Sequence, residues 1–559
     1  MNILCLRTAG VGLTVLCALV TLCAPASAQE QNPVADSTAI VVSGDARFTV
    51  LTPRLLRLEW APGGRFEDNA SLVFLNRRLP VPRFVVERED DWVIIRTDSL
   101  MLKYKEQSGR FTGENLSITR GHGIHANPTV WHPGLADSTN LRGTIRTLDG
   151  VKGATDLEPG LLSRTGWTVV DDSERPLFDR DEWPWVMPRP QGDRQDLYFF
   201  GYGQDYRGLL ADFVKVAGRI PLPPRFAFGT WWSRYWAYTD EEFKDLVREF
   251  RLHNVPLDVL VVDMDWHLTF DMRWDKKVTD QAGQRLGWTG YTWDRNYFPD
   301  PDGFLKWCEG QGLKTTLNLH PASGIQPHEQ QYSAMAKAMG MDPATRTYVP
   351  FDIVDRTFAD NYLRHVIHPL EDQGIDFWWL DWQQWGTTKI TGVTPTWWLN
   401  YVFFTDMERR GKNRPLLFHR WGGLGNHRYQ IGFSGDAFSV WESLAFQPYF
   451  TATAANVGFG YWSHDIGGHM PGVVSPELYT RWIQFGVFSP MLRTHTTKNP
   501  DAERRIWAYP EAYFTVMRDA FRLGYALIPY LYTQARRTYD TGVSVCHPLY
   551  YDYPEFEEA

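Results

Sequence analysis

Several acids in this chain stand where a carboxylate is costly to place, at or near the ends of short apolar runs: Asp263 and Asp265 in VVDMDWH, Asp381 in DFWWLDWQQ, Asp436 in GFSGD and Asp465 in HDIGG. A carboxylate desolvated without a partner is expensive, so such groups are paired, capped or put to chemical use. His320, Arg420 and His495 end three further runs, KTTLNLH, PLLFHR and FSPMLRTH. Several carboxylates with one arginine, a few histidines and many tryptophans, and no activated serine or cysteine, suit cleavage of a glycosidic bond. That reaction needs two carboxyl groups, one to attack the anomeric carbon or activate water and one to protonate the leaving oxygen. Asp381 and Asp436 form the best pair, because each follows a buried strand and Asp436 lies in a glycine-containing turn that a departing sugar can reach. Trp379 and Trp382, on either side of Asp381, are candidate walls for a sugar ring.

Blander readings compete. Asp381 could cap or pair within a core, and Asp465 could cap the turn at Gly467 and Gly468, whose glycines tolerate positive φ. VVDMDWH also fits a D-x-D metal site of the kind used with nucleotide-sugars, but no glycine-rich phosphate loop accompanies it. The 15 histidines fall into no H-E-x-x-H pattern and no paired cysteines provide zinc spacing. Neither a metal nor an organic cofactor is expected.

For these residues to meet, parallel strands must bring them to one end. From about residue 222, short apolar runs alternate with helical patterns: FAFGTWW, LDVLVVD, KTTLNLH, DFWWLD, PLLFHR, QIGFSGD, VGFGYW and FSPMLRTH are eight candidate strands. The helix TDEEFKDLVREFRLHN opens with a capping box, Thr239 followed by Glu242. Other helices are expected near Pro301, Phe358, Pro395, Trp441, Pro476 and Pro510, while the fifth crossover is too short for one. These are the parts of an α/β fold, a (β/α)8 TIM barrel over residues 222–540, whose catalytic groups gather at the C-terminal ends of the strands.

Before the barrel, residues 29–221 alternate apolar and polar positions between Gly, Pro, Asn and Asp clusters and are expected to form a β-sandwich domain. Within it the Pro- and Trp-rich LFDRDEWPWVMPRPQG could fold over a neighbouring domain. Residues 541–559 read as the start of a C-terminal β domain that is cut short. Residues 1–28 read as a signal peptide, with Arg7, an apolar run from Val11 to Ala24, and Ala26-Ser27-Ala28 for cleavage. The run is short for a bilayer span, so the protein is expected to be exported, periplasmic or extracellular, without stable membrane insertion. Its removal leaves only Cys308 and Cys546, no disulfide framework. An aromatic fraction of 15% suits sugar rings, and a net charge of -9 without a basic block argues against nucleic acid as a partner. Nothing in the sequence speaks to the oligomeric state.

The barrel motifs WWSRYWAYTDEEF, VVDMDWH, DFWWLDWQQ, HRWGGLGNHRYQIGFSGD, HDIGG and SPMLRTH, in this order, resemble glycoside hydrolase family 31, the retaining α-glucosidase and α-xylosidase family. NLRGTIRTLDG and GLLSRTGWTVVDDS resemble parts of its N-terminal β domain. The resemblance implies Asp381 as nucleophile, Asp436 as general acid/base, and Asp263, Arg420 and His495 as groups that hold the sugar. Asp265, Asp465, Trp379 and Trp382 join them as expected substrate contacts by position. The resemblance also implies an α-linked oligosaccharide or glycoside as substrate, and C-terminal β domains that this chain lacks. One departure stands out: where many family α-glucosidases carry Met-Asn-Glu after the nucleophile, this chain has Trp382-Gln383-Gln384. Glucose, xylose, galactose and N-acetylgalactosamine therefore stay open, as do an α-transglycosidase and a non-catalytic sugar-binding barrel.

Overall fold

The structure is a computed structural model that describes residues 31–121, 129–269, 278–381 and 386–559. The expected signal peptide and Trp382 with its following glutamines lie outside the described residues. Two five-stranded antiparallel sheets come first. One runs in the order Ile40–Ser43, Ala46–Thr52, Leu55–Trp60, Gln195–Phe200, Thr168–Asp171, and the other from Phe84–Glu89 to Thr129–Trp131 in chain order. Phe48, Leu56, Leu58 and Phe199 of the first sheet pack on Ile95, Leu102, Ile118 and Trp131 of the second, so the pair is a sandwich with one apolar core.

The barrel strands are β1 (Thr230–Trp232), β2 (Val259–Val262), β3 (Lys314–Leu319), β4 (Phe377–Leu380), β5 (Leu417–His419), β6 (Gly432–Phe433), β7 (Trp462–Ser463) and β8 (Leu492–Thr494). All pair in parallel in the order β7 to β1 and then β8, and a bridge between Ile466 and Thr494 closes the ring. The period of two sorts their side chains. Val259, Val261, Phe377, Trp379, Phe418 and Phe433 share the core inside the barrel. Leu260, Val262, Trp378, Leu380 and Leu417 join the core under the outer helices. The capping box at Thr239 and Glu242 is formed, and helices run from Pro301, Arg356, Pro395, Trp441, Pro476 and Glu511. The fifth crossover holds only a 3-10 turn, Asn426–Arg428.

The helix Tyr206–Ala217 joins sandwich to barrel, with Leu210, Phe213 and Ala217 in the same core as the barrel interior. The Pro- and Trp-rich loop does lie over the barrel: Trp185 Nε1 donates to the Val354 carbonyl at 2.7 Å and Trp183 Nε1 to Thr405 Oγ1 at 2.9 Å. Residues 541–559 differ from the expected strand and form turns around a 3-10 helix, Leu549–Tyr551. The local reason is docking: Tyr550 and Tyr551 bond both ends of the Asn456 amide, and Asp552 pairs with Arg207 at 2.7 Å.

Candidate active site

The inward row of each strand continues past its C-terminal end, and there the layer turns from apolar to polar. Below the rim, Trp379, Phe418 and Phe433 surround the fully buried Arg493, whose guanidinium lies 5.1 to 5.3 Å from their ring centroids and pairs with Asp465. This charged pair is acceptable in a core because aromatic faces and a second hydrogen bond, Arg493 Nε to Ser463 Oγ at 2.8 Å, satisfy the cation.

One residue-pair higher stands Asp381. Its Oδ1 accepts from Arg420 Nη2 at 2.9 Å and Nε at 3.2 Å, and its Oδ2 accepts from the Asn318 amide at 2.9 Å, with His320 Nε2 3.6 Å away. Burial works to raise its pKa, but Arg420, His320 and Asn318 outweigh burial and hold this carboxyl below the usual carboxylate value. Asp436 has the opposite surroundings. Burial, with Asp149 and Asp381 as like charges, pushes it up to about 7 against the pull of His469 and Arg420. A third of its side chain remains exposed at the barrel mouth.

Around this pair, Asp263 takes the Met264 N–H on Oδ1 at 2.7 Å and lies 3.8 Å from His495 Nε2. Burial, followed by the Asp381 and Asp265 charges, raises Asp263 to about 8, so near neutrality it can both donate and accept. His495 Nδ1 is hydrogen-bonded to Ser233 Oγ at 2.7 Å, and burial keeps its pKa well below the ordinary histidine value. Asp265 pairs with Lys498 at 2.7 Å. His469 lies 3.6 Å from Asp436 and 3.4 Å from Asp465; against burial, these carboxylates raise it to about 9 and make it a cation. Asp465, His469 and His495 bring ligand-type atoms within 4.8 Å of one another. Within this group Arg493 already pairs with Asp465 and places a resident cation beside the two histidines.

The surrounding barrel, residues 220–534, matches the Glycosyl hydrolases family 31 TIM-barrel domain. The chain belongs to glycoside hydrolase family 31. Among its relatives, an alpha-xylosidase of Saccharolobus solfataricus is 27% identical over 390 residues, covering 64% of this chain and 49% of that protein. Alpha-glucosidase 2 of Bacillus thermoamyloliquefaciens is 24% identical over 409 residues, 66% of this chain and 48% of that protein. The chain thus spans about half the length of the curated relatives it matches. Among solved structures, a family 31 alpha-xylosidase from a soil metagenome, complexed with xylose, superposes with a TM-score of 0.68 at 17% identity, covering 93% of this chain and 87% of that one. A family 31 dextranase of Flavobacterium johnsoniae, complexed with isomaltotriose, gives 0.70 at 18% identity, covering 95% and 73%. At these identities the likeness is one of fold.

In this family 31 barrel, Asp263, Asp265, Asp381, Arg420, Asp436 and His495 come together at one mouth. Trp379 and Asp465 lie one layer deeper, in contact with His495 and His469 of that cluster. Trp379 is 1% exposed and touches His495 edge-on at 5.4 Å, because the inward row places it two residues below Asp381. Asp465 is held in the same lower layer by Arg493. Both act as floor, not wall. Among the described residues, Trp288, from the loop after β2, stacks on His320 at 5.2 Å.

Several site residues escaped the sequence reading, among them Asn318, His469, Thr147 and Asp149. Asn318 was legible, since it lies two before His320 in the same inward row, and His469 sits four after Asp465. Thr147 and Asp149 lie in NLRGTIRTLDG, the stretch that resembles the family's N-terminal β domain, but nothing in that stretch marked these two side chains as site residues. They come from the N-terminal domain, where Thr147 Oγ1 and Asp149 Oδ1 accept from Arg420 Nη1 at 2.6 and 3.1 Å, and Asp149 Oδ1 also accepts from the Asp436 N–H at 2.7 Å.

Proposed function

We propose that this chain is the catalytic portion of an exported retaining α-glycosidase that removes terminal sugars from small α-linked glycosides or oligosaccharides. The observation that carries the proposal is the opposed pair at one barrel mouth, with Asp381 held ionised by Arg420 and Asp436 raised by burial to about 7, where it can give and take a proton near neutral pH. Two carboxyl groups kept in different protonation states are what double displacement requires.

In the first step an Asp381 oxygen attacks the anomeric carbon and the glycosidic C–O bond breaks. Asp436 delivers its proton to the departing oxygen, leaving the sugar esterified to Asp381 with inverted configuration. In the second step Asp436, now a carboxylate, takes a proton from water, whose oxygen attacks the anomeric carbon. The bond to Asp381 breaks, and the sugar leaves with its original α configuration. Arg420 first compensates the buried nucleophile and then faces the carboxylate as it is released. Asp263 and His495 stand beside the pair with polar atoms suited to sugar hydroxyls.

Family membership and the alpha-xylosidase and alpha-glucosidase names of the relatives support the reaction class. Export is supported by the apolar run from Val11 to Ala24 and the small residues after it. No helix among the described residues is long and apolar enough to cross a membrane. The test is a panel of chromogenic α-glycosides of glucose, xylose, galactose and N-acetylgalactosamine, with proton NMR of the first-formed sugar. Release of the α-anomer supports the proposal, and first release of the β-anomer sinks it. A protein that binds these glycosides and cleaves none is instead a sugar-binding barrel.

A further inference from the structure

We infer that Asp149, carried by the N-terminal β domain, is a positioning residue of the catalytic pair, joining the turn that bears Asp436 to the arginine that holds Asp381. The inference rests on the retaining-glycosidase reading above.

A single oxygen makes the junction. Asp149 Oδ1 accepts from the Asp436 N–H at 2.7 Å and from Arg420 Nη1 at 3.1 Å. The opposite side of the same guanidinium, Nε and Nη2, holds Asp381 Oδ1. Arg420 is therefore shared between the proposed nucleophile and a carboxylate of another domain. The segment around Asp149 is itself fixed to the turn by main-chain bonds. Leu148 N–H donates to the Ser434 carbonyl at 2.7 Å, Gly150 N–H to the Asp436 carbonyl at 3.1 Å, and Phe438 N–H to the Val151 carbonyl at 3.2 Å. Both main-chain polar groups of Asp436 are thus satisfied by residues 149 and 150, the first of them 287 positions away in sequence.

The approach is close enough to dictate a glycine. Gly435 has φ +94°, and a Cβ there would collide with Asp149 Oδ1 and Thr147 Oγ1 and lie 2.8 Å from Arg420 Nη1. β6 ends at Phe433, and beyond it the barrel holds the turn only through the neighbours of Asp436, Ser434 N–H on the Ser463 carbonyl at 3.0 Å and His469 N–H on the Ala437 carbonyl at 2.8 Å, while the main chain of Asp436 itself is held by residues 149 and 150. The Asp149 charge also opposes that of Arg420 at Asp436, helping the latter keep its proton. The charged groups facing Asp436 are Asp149, Asp381, Arg420 and His469, with Arg146 behind Asp149.

The experiment compares wild type, Asp149→Ala, Asp149→Asn and Asp436→Ala on α-glycosides of one sugar with aryl leaving groups of graded pKa. Circular dichroism and Tm establish folding. Misplacing a proton donor penalises poor leaving groups, so Asp149→Ala should lose ~10 to 100-fold in kcat/KM on them and far less on activated ones. Asp149→Asn keeps an acceptor oxygen, so its leaving-group dependence should return towards wild type. Having lost the negative charge, it should move the alkaline limb of its pH profile to lower pH. A folded Asp149→Ala with the wild-type leaving-group slope, or with an equal loss on every substrate, overturns the positioning role. So does an Asp149→Asn profile whose alkaline limb does not move. If Asp436→Ala shows the leaving-group signature and neither Asp149 variant does, the inference alone fails. If wild type cleaves nothing, or Asp436→Ala shows no such signature, the retaining-pair reading fails and the inference with it.

Discussion

At the scale of single residues, Asp381 and Asp436 are the same side chain put to different use by their neighbours. Asp381 faces a guanidinium and an amide, while Asp436 faces two carboxylates across a partly open mouth. Their removal should be separable. Asp381→Ala should abolish turnover even with excellent leaving groups, while Asp436→Ala should lose ~10²- to 10⁴-fold, mostly on poor ones. Added azide then reads the roles directly. In Asp436→Ala it should intercept the sugar on Asp381 and give an α-glycosyl azide; in Asp381→Ala it should attack in place of the missing carboxylate and give the β-azide. Swapped products would reverse the assignment. The same pair sets the pH dependence. Proton donation requires protonated Asp436, so kcat/KM should fall as pH rises through about 7. Attack requires ionised Asp381, whose pKa is depressed, so the acid limb should lie below the ordinary carboxylate range. A pH profile of kcat/KM on a poor leaving group checks both limbs, and an alkaline limb that persists in Asp436→Ala would assign it to another group.

At the scale of elements, the strands are short, two to six residues, and chemistry begins where their pairing stops. The turn after β6 is constrained from outside the barrel, since a segment of the N-terminal domain lies against it. Gly435→Ala places a methyl group at positive φ and against Asp149 and Thr147. The expected result is a folded protein with its sandwich and barrel intact, a small fall in Tm, and kcat/KM reduced by ~10-fold or more on poor leaving groups. Kinetics alongside a thermal melt would decide it, and wild-type turnover would show that the turn has slack. The helix Asp240–Leu252 offers a contrast: its capping box at Thr239 concerns stability alone, because none of its residues reaches the mouth.

At the scale of the molecule, sandwich and barrel share a core and one catalytic cluster, so neither is a passive attachment to the other. The fully buried Arg428, on the short fifth crossover, donates to the carbonyls of Leu72, Val73 and Ala217, all from the N-terminal part. Arg428→Ala would leave three buried acceptors without that donor, a loss on the order of 3 kcal/mol or more. A lower denaturation midpoint is expected, with activity at low temperature largely kept because Arg428 does not touch the mouth. If the melt instead splits into two transitions, the residue also couples the folding of the two domains; an unchanged midpoint would mean that water replaces it at no cost.

Read by itself, the chain revealed the barrel, its eight strands, the starts of most helices, and the acids at the strand ends. These features are local: a period of two, a period of 3.6, a capping box, and the side chain that follows an apolar run. Arg420, Asp436 and His495 were legible for the same reason. What depends on distance through space was not. Trp379 looked like a sugar wall because it adjoins the Asp381 rim in sequence, yet the inward row puts it one layer down, beneath His495. Asp149 lies in a family-like stretch, NLRGTIRTLDG, but its contact could not be read there, because the amide it holds is 287 residues away. The protonation states were hidden too, since a pKa answers to burial and to charges that only the closed barrel brings together: Arg420 beside Asp381, Asp149 beside Asp436.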